Sequence, residues 1–210
     1  LSKTIRRFAK LLKSLRNFCQ QVPFRKLQLI IMNKTDISLN YSKILTIQEY
    51  GKNPPIDGVK FIPLPYQKDD TGEFSELGRI DNGILQSVSG FKIAQISYSL
   101  LLPKAVKAFH LHFNQTDAWY VSPYDRLLVG LLDTRKDSIT VDKTMRLVLG
   151  AGVAQLLIIP PGVAHGAANP WDKPTSMVYF TDQQFSPANP DERRLPYDLF
   201  GENFWKLTKG

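Results

Sequence analysis

Short apolar runs separated by turn residues recur along most of the chain, and this pattern restricts the fold more than any other feature. Strands of small β-domains are rich in β-branched and aromatic residues and are bounded by Gly, Pro, Asn or Asp. Nine segments fit this description: residues 59–64, 84–88, 94–102, 108–113, 119–121, 127–132, 145–149, 154–159 and 176–181. No helical periodicity interrupts them, so we predict an all-β body in the form of a sandwich or barrel.

A chain of 210 residues, 43% of them hydrophobic, is long enough for one well-filled core. We therefore predict one body over residues 59–190. A helix over residues 1–22 and a lead-in segment over residues 23–58 precede the body, and a tail over residues 191–210 follows it. The stretch at residues 51–58 is rich in Gly, Pro, Asn and Asp, which indicates turns immediately before the first strand.

The first 22 residues have the pattern of a basic amphipathic helix. Apolar side chains recur at steps of three and four with basic residues between them, and Ser2 is suited to the N-cap. The apolar positions are Ile5, Phe8, Leu11, Leu12, Leu15 and Phe18, and the basic ones are Lys3, Arg6, Arg7, Lys10, Lys13 and Arg16. Such a helix suits an anionic membrane surface. It equally suits packing on its own body or on a partner protein, and the pattern leaves these alternatives open.

The net charge of +8 is concentrated at the N-terminus. Residues 1–35 contain nine Lys or Arg and no acid, whereas residues 36–210 contain eighteen bases and nineteen acids. The body has no second basic patch and no aromatic-glycine signature of an RNA-binding module, which argues against nucleic acid as a partner. The single cysteine, Cys19, is typical of a reducing compartment. We expect a cytoplasmic protein whose N-terminal helix is a candidate for peripheral membrane attachment.

The chain has only three histidines, and they lie in two short patches. His110 and His112 are one residue apart, so a strand that carries both presents them on one face. His165 lies in the second patch. If its strand lies opposite and that face lines a cavity, the three imidazoles converge.

Both patches resemble the two motifs of cupins, which lie on facing strands of a small jelly-roll barrel. Pro160, Gly162, His165 and Asn169 have the spacing Pro-x-Gly-x-x-His-x-x-x-Asn, in which proline and glycine form a tight turn. The first patch fits partly, because Asp117 stands where metal-binding cupins carry Glu. A metal site would use His110, His112, His165 and Asp117, a donor set suited to Mn, Fe or Zn. The simpler interpretation of Asp117 is a solvated loop carboxylate.

Several short motifs, in order and spacing, resemble the dTDP-4-dehydrorhamnose 3,5-epimerase family. They are residues 69–76, 95–99, 133–138 and 159–166, and Tyr179 followed by residues 185–187. Several motifs in register across roughly residues 59–190 are far more specific than any one alone. The resemblance implies a cupin-type jelly roll, a homodimer, a nucleotide-sugar substrate and a site without metal.

The resemblance also implies roles for individual residues. These epimerases remove a proton from the carbon next to the 4-keto group of a nucleotide-linked deoxysugar and return one to the opposite face, which needs a base and an acid. His112 matches the family base, Tyr179 the acid and His165 a supporting histidine. Four further positions are expected to contact substrate: Phe109, Gln115, Trp119 and Glu76.

The chain departs from the family pattern next to the base. Phe109 occupies the position of an arginine that contacts the nucleotide phosphates, and His110 replaces a glycine. Ala118 and Trp119 stand near the position of a lysine that stabilises the enolate oxygen, and neither donates a cationic hydrogen bond. No residue of the tail clearly matches the aspartate that orients the base.

Three hypotheses follow from these patterns. The first is an epimerase of a nucleotide-linked 4-keto-deoxysugar. The second is a metal-dependent cupin enzyme. The third is a non-catalytic cupin that serves as a structural or docking subunit, held to a membrane or a larger assembly by residues 1–22.

Overall fold

The computed structural model describes residues 33–46 and 55–208. The chain divides into two compact units, Leu1–Tyr50 and Gly51–Gly210. In the first unit, the described residues form a 3₁₀ turn, Lys34–Asp36, and a one-turn helix α1, Leu39–Ser42. The predicted basic helix over residues 1–22 lies outside the described residues. Within the described ranges, no helix is long and apolar enough to cross a membrane.

The regular secondary structure of the second unit consists almost entirely of antiparallel strands, which confirms the all-β prediction. The strands are β1 Lys60–Pro63, β2 Tyr66–Lys68, β3 Glu73–Ser75, β4 Ile80–Asp81, β5 Ile84–Leu85, β6 Gln95–Leu101, β7 Val106–Leu111, β8 Asp117–Tyr120, β9 Arg126–Asp133, β10 Thr144–Gly150, β11 Gln155–Ile159, β12 Val163–Ala168, β13 Thr175–Thr181 and β14 Arg193–Arg194. Each of the nine predicted segments overlaps a strand. A 3₁₀ turn, Glu202–Trp205, follows β14.

Two five-stranded sheets form the body. The first has the order β1-β11-β8-β13-β6, and the second has the order β10-β9-β12-β7-β14. Side chains from both sheets meet in one buried cluster, which includes Trp119 and Leu157 from the first sheet and Val129 and Val163 from the second. The body is therefore a two-layer sandwich with its main core between the sheets. The strand pairs β2-β3 and β4-β5 lie outside these two sheets.

The strand that carries His165, β12, is not among the segments predicted from the sequence. It consists of Val163-Ala164-His165-Gly166-Ala167-Ala168, and alanine and glycine are poor strand formers. Every residue of β12 is buried, because the strand lies between β9 and β7 and is covered on both faces. A Cβ atom on Gly166 would lie 2.3 Å from the Cβ of Ala108, so this close approach of β12 to β7 requires glycine.

The position of β12 also differs from the expectation of facing strands. It pairs with β7 in the same sheet, and His165 is the direct partner of His110. The histidines therefore converge as neighbours on one sheet rather than across the sandwich.

The C-terminal segment packs against the outer face of the second sheet. Strand β14 pairs with β7, and Trp205 is buried beside Phe109 and Leu128. Gly130 leaves room for this packing, because a Cβ atom there would lie 2.6 Å from the ring of Phe204. Residues 193–205 thus belong to the body of the fold.

Candidate active site

A cavity of about 870 Å³ lies between the two sheets. It is lined by β6, β8 and β13 of the first sheet and by β7, β12 and β14 of the second, with residues of the segments next to β7 and β14. All three histidines line this cavity, together with Asp117 and Tyr179. The convergence expected from the two histidine patches is therefore present.

The imidazole of His165 contacts those of both other histidines. The rings of His110 and His165 are stacked with centroids 5.8 Å apart, and those of His112 and His165 are 5.2 Å apart. His165 and His112 are almost fully buried, whereas His110 is about one quarter exposed. His110 and His112 face the cavity from the same side of the chain, as the alternation of a strand predicts.

The turn before β12 connects His112 to His165. Gly162 has a φ of +77°, a conformation that favours glycine, and its N–H donates to the carbonyl oxygen of His112 at 2.8 Å. Thr134 donates through Oγ1 to the carbonyl oxygen of Gly162, also at 2.8 Å. Gly162 is therefore a turn glycine, as predicted, and the turn holds the backbone of His112 next to the start of β12.

The loop that follows β9 is held together by a buried carboxylate. Asp133 accepts hydrogen bonds from Arg135, Ser138 and Thr140 at 2.6 to 2.9 Å. Burial by itself favours the neutral acid, but these donors outweigh it and hold the pKa of Asp133 well below its usual range. The same loop includes Thr134, which donates to the carbonyl oxygen of Gly162, so residues 133–138 support the turn at Gly162.

Asp191 holds His112 and its loop from the C-terminal segment. The Nδ1 atom of His112 is in short contact with the carbonyl oxygen of Asp191, so Nδ1–H donates and Nε2 is left as the basic nitrogen. The carboxylate of Asp191 accepts the backbone N–H groups of Phe113, Asn114 and Gln115 at 2.7 to 3.0 Å. Partial burial raises the pKa of Asp191, and these three donors together bring it below its usual value. Asp191 is thus the residue of the tail that positions His112.

Asp117 is a buried residue of the site, and its interpretation as a solvated loop carboxylate is wrong. It is the first residue of β8 and is only 3% exposed, because strand alternation directs it inward beside Trp119. Its carboxylate accepts from Gln115 Nε2 at 2.7 Å and from Trp119 Nε1 at 2.9 Å. The Nε2 atom of His165 lies 3.5 Å from the same carboxylate.

His165 and His110 are held in their neutral forms. Burial lowers the pKa of His165, and its Nδ1 lies 3.0 Å from the carbonyl oxygen of Val163, to which Nδ1–H donates. Burial, and then the neighbouring His165, lower the pKa of His110 to about 4. The carboxylate of Glu192, 3.4 Å from His110 Nδ1, opposes this shift without cancelling it.

Tyr179 faces these histidines from the other sheet. It lies in β13, directly beside Trp119 of β8 in the strand pairing, and its side chain lines the cavity. His112 and His165 reach the same cavity from β7 and β12. A phenol on one sheet and imidazoles on the other therefore flank the space between them.

Of the four positions expected to contact substrate, two line the cavity and two do not. Gln115 and Trp119 line the cavity. Phe109 does not: its side chain is fully buried on the outer face of the second sheet, against Phe200, Phe204 and Trp205. Glu76 also lies outside the cavity, where its carboxylate pairs with Arg79 at 2.9 Å. The side chain of Phe109 points outward because side chains alternate along a strand and the next residue, His110, points inward.

The metal interpretation has a partial geometric basis. His112, Asp117 and His165 each offer a ligand atom, and these atoms lie within 4.8 Å of one another. His110 is not part of this group. Both oxygens of Asp117, however, already accept N–H donors from Gln115 and Trp119, so the buried carboxylate is satisfied by the protein itself.

The sequence and fold have clear relatives. A family model described as dTDP-4-dehydrorhamnose 3,5-epimerase matches residues 53–198. The chain belongs to this family. The spore coat polysaccharide biosynthesis protein SpsL of Bacillus subtilis (strain 168) is 40% identical over 143 residues, which are 68% of this chain and 91% of that protein. The family resemblance expected from the short motifs is confirmed.

Solved structures agree with this assignment. The dTDP sugar isomerase from Desulfovibrio desulfuricans G20 is 26% identical with a TM-score of 0.59, over 73% of this chain and 91% of that one. The dTDP-4-dehydrorhamnose 3,5-epimerase from Bacillus anthracis str. Ames, with TDP and PPi bound, has the same fold at 21% identity and a TM-score of 0.59, over 75% of this chain and 91% of that one. The protein is an epimerase of a nucleotide-linked sugar, and the metal-dependent and non-catalytic alternatives are disfavoured.

The low pKa of His110 predicts a specific pH dependence of stability. In the unfolded chain this imidazole binds a proton with a pKa of about 6.5, and in the folded chain with a pKa of about 4. The unfolded state therefore binds more protons between these values, so His110 lowers the free energy of unfolding as pH falls through this window. We expect His110→Gln to remove this part of the pH dependence, as measured by urea unfolding at several pH values. Parallel curves for the wild type and His110→Gln would contradict the assignment.

Proposed function

We propose that His112 and Tyr179 are the base and the acid of the epimerisation. Nε2 of His112 takes the proton from the carbon next to the 4-keto group, and the electrons of that C–H bond move onto the keto oxygen as an enolate. Tyr179 then delivers a proton to the opposite face of the same carbon as the enolate collapses. The observation that carries the proposal is the contact of His112 Nδ1 with Asp191, which leaves Nε2 as the proton acceptor.

The supporting residues act through this pair. His165 packs its ring against His112 and is neutral, so it does not add a positive charge that would lower the basicity of His112. Asp117 ties Gln115 and Trp119 into one hydrogen-bonded group beside the two histidines. We propose Gln115 and Trp119 as substrate contacts, since both side chains line the cavity.

We also propose that the reaction needs no metal. Proton transfer between imidazole, carbon and phenol needs only the groups already in the cavity. The partners of Asp117 support this proposal, because both of its oxygens are already bound by neutral donors.

Exchange of solvent deuterium into a dTDP-4-keto-6-deoxyhexose tests these roles. We expect His112→Ala to slow exchange by about 10²- to 10⁴-fold and Tyr179→Phe to slow completed epimerisation by a similar factor, since these are typical contributions of general acids and bases. Tyr124→Phe, at an exposed turn outside the cavity, is the matched control and should leave both rates unchanged. Prior treatment with a strong chelator should have no effect. Exchange at the wild-type rate in His112→Ala would contradict the role of His112 as base. Loss of exchange after chelation would contradict a reaction without metal.

We propose that the protein is a homodimer in which β6 contributes to the interface. This strand is at the edge of the first sheet and carries Ile96, Tyr98 and Leu100 on its exposed face. An edge strand with unpaired backbone groups and a row of large apolar side chains is a ready template for association.

The mass in solution tests the dimer. We expect a species of twice 23.8 kDa in sedimentation equilibrium, and a shift to monomer on combining Ile96→Lys with Tyr98→Lys, because two charges would then be buried in an apolar interface. Ile139→Lys, at a still more exposed apolar position outside β6, is the control. A monomeric wild-type protein, or a dimer unaffected by the double substitution, would contradict this arrangement.

We propose that this enzyme is cytoplasmic and that residues 1–22 attach it to an anionic membrane surface. The support is the sequence pattern alone: six basic residues, no acid, and an apolar stripe at helical spacing.

Co-sedimentation with vesicles tests the attachment. The 210-residue chain is expected to sediment with phosphatidylserine-containing vesicles, less so at high salt because the charge attraction is screened. Deletion of residues 1–22 is expected to abolish sedimentation, and vesicles of neutral lipid are the control. Equal sedimentation with and without residues 1–22 would refute the membrane attachment. Failure to sediment with either type of vesicle would also refute it, and would favour a protein as the partner of residues 1–22.

A further inference from the structure

Two cations stand on one lip of the cavity, formed by β7 and β14. Arg194 of β14 is the direct pairing partner of His110, and Lys107 lies three residues before His110 in β7. Both side chains line the cavity. We call Lys107 and Arg194 the cationic lip. Lys104 also lines the cavity, but its ammonium group is already bound to Asp172 at 2.7 Å and to the carbonyl oxygen of Pro170 at 2.8 Å.

The charges of the lip are only partly compensated. Lys107 Nζ contacts the hydroxyl of Ser99 at 3.1 Å, and in the part of the chain that the structure describes no carboxylate lies within ion-pair distance of it. Arg194 donates through Nη2 to Glu192 at 2.5 Å, which uses one of the five N–H donors of its guanidinium group. The lip therefore has cationic donors to offer to an anion in the cavity.

The deeper part of the cavity has the opposite character. Burial lowers the pKa values of His165 and His110, so both imidazoles are neutral at pH 7. Both carboxyl oxygens of Asp117 already accept hydrogen bonds from Gln115 and Trp119. A ligand with a neutral sugar at one end and a negatively charged group next to it would match this division.

We propose that Lys107 and Arg194 bind the diphosphate of the nucleotide sugar and so direct its sugar toward His112. This inference rests on the proposed function, because a nucleotide-linked sugar carries its two phosphoryl charges next to the sugar. Phe109 of the same strand cannot serve, since its side chain packs on the outer face. Glu192 positions Arg194 and also lies 3.4 Å from His110, so it links the lip to the histidines.

Binding of dTDP and of thymidine to the full chain, measured by calorimetry, tests the lip separately from the chemistry. We expect Lys107→Met and Arg194→Met each to weaken dTDP binding by at least about tenfold, as is typical for loss of a charge-assisted hydrogen bond. Thymidine, which has no phosphate, should bind with unchanged affinity. Lys107→Arg should restore most of the dTDP affinity. Lys143→Met, an exposed lysine outside the cavity, is the control and should match the wild type.

Kinetics complete the test and separate the two proposals. For both lip variants we expect KM for the nucleotide sugar to rise about as much as the dissociation constant of dTDP, with kcat for deuterium exchange within about threefold of the wild type. If the Lys107→Met and Arg194→Met variants exchange deuterium and bind dTDP as tightly as the wild type, the role of the lip is refuted and the proposed function is not. The same holds if these variants lose as much affinity for thymidine as for dTDP. If the wild type binds dTDP through the lip but exchanges no deuterium, the proposed function fails and the lip assignment stands.

Discussion

The pairing of β12 with β7 is the contact on which the site depends. It places His165 directly beside His110, and the turn that precedes β12 hydrogen-bonds to the backbone of His112. The two strands approach so closely that Gly166 has no room for a side chain. A shift of β12 by one residue would turn His165 to the outer face and remove it from the cavity, because side chains alternate along a strand. Register in this pair therefore decides whether the imidazoles meet.

The C-terminal segment completes the arrangement from the outside. Trp205 and Phe204 cover the outer face of the second sheet around Phe109, and this cover lets β12 be apolar on one side while it carries His165 on the other. The same segment supplies Asp191, Glu192 and Arg194 to the cavity. A tail that packs on the core also sets the tautomer of the proposed base through the carbonyl of Asp191. The C-terminal segment therefore both stabilises the fold and supplies residues to the cavity.

The deeper part of the cavity carries neutral imidazoles, and the cationic lip carries positive charge. His110 and His165 stay neutral because burial, where a charged imidazole loses its hydration, lowers their pKa values. The two cations of the lip, Lys107 and Arg194, keep contact with solvent. This arrangement suits a ligand whose reacting part is neutral and whose anchoring part is anionic. The enzyme family to which the chain belongs acts on ligands with both parts.

Much of this protein followed from local patterns in its sequence. Alternation and turn residues identified nine strands, and the spacing around Gly162 and His165 identified a cupin turn, because both properties depend on neighbours only a few residues apart. The family motifs pointed to an epimerase for the same reason. Local patterns missed β12, whose alanines and glycine form a strand only because β7 and β9 enclose them. They also misplaced Asp117, which is buried by strands distant in sequence, and left Asp191 unassigned, since it acts on a histidine 79 residues away. Those three features depend on which strands become neighbours, and only the tertiary structure decided that.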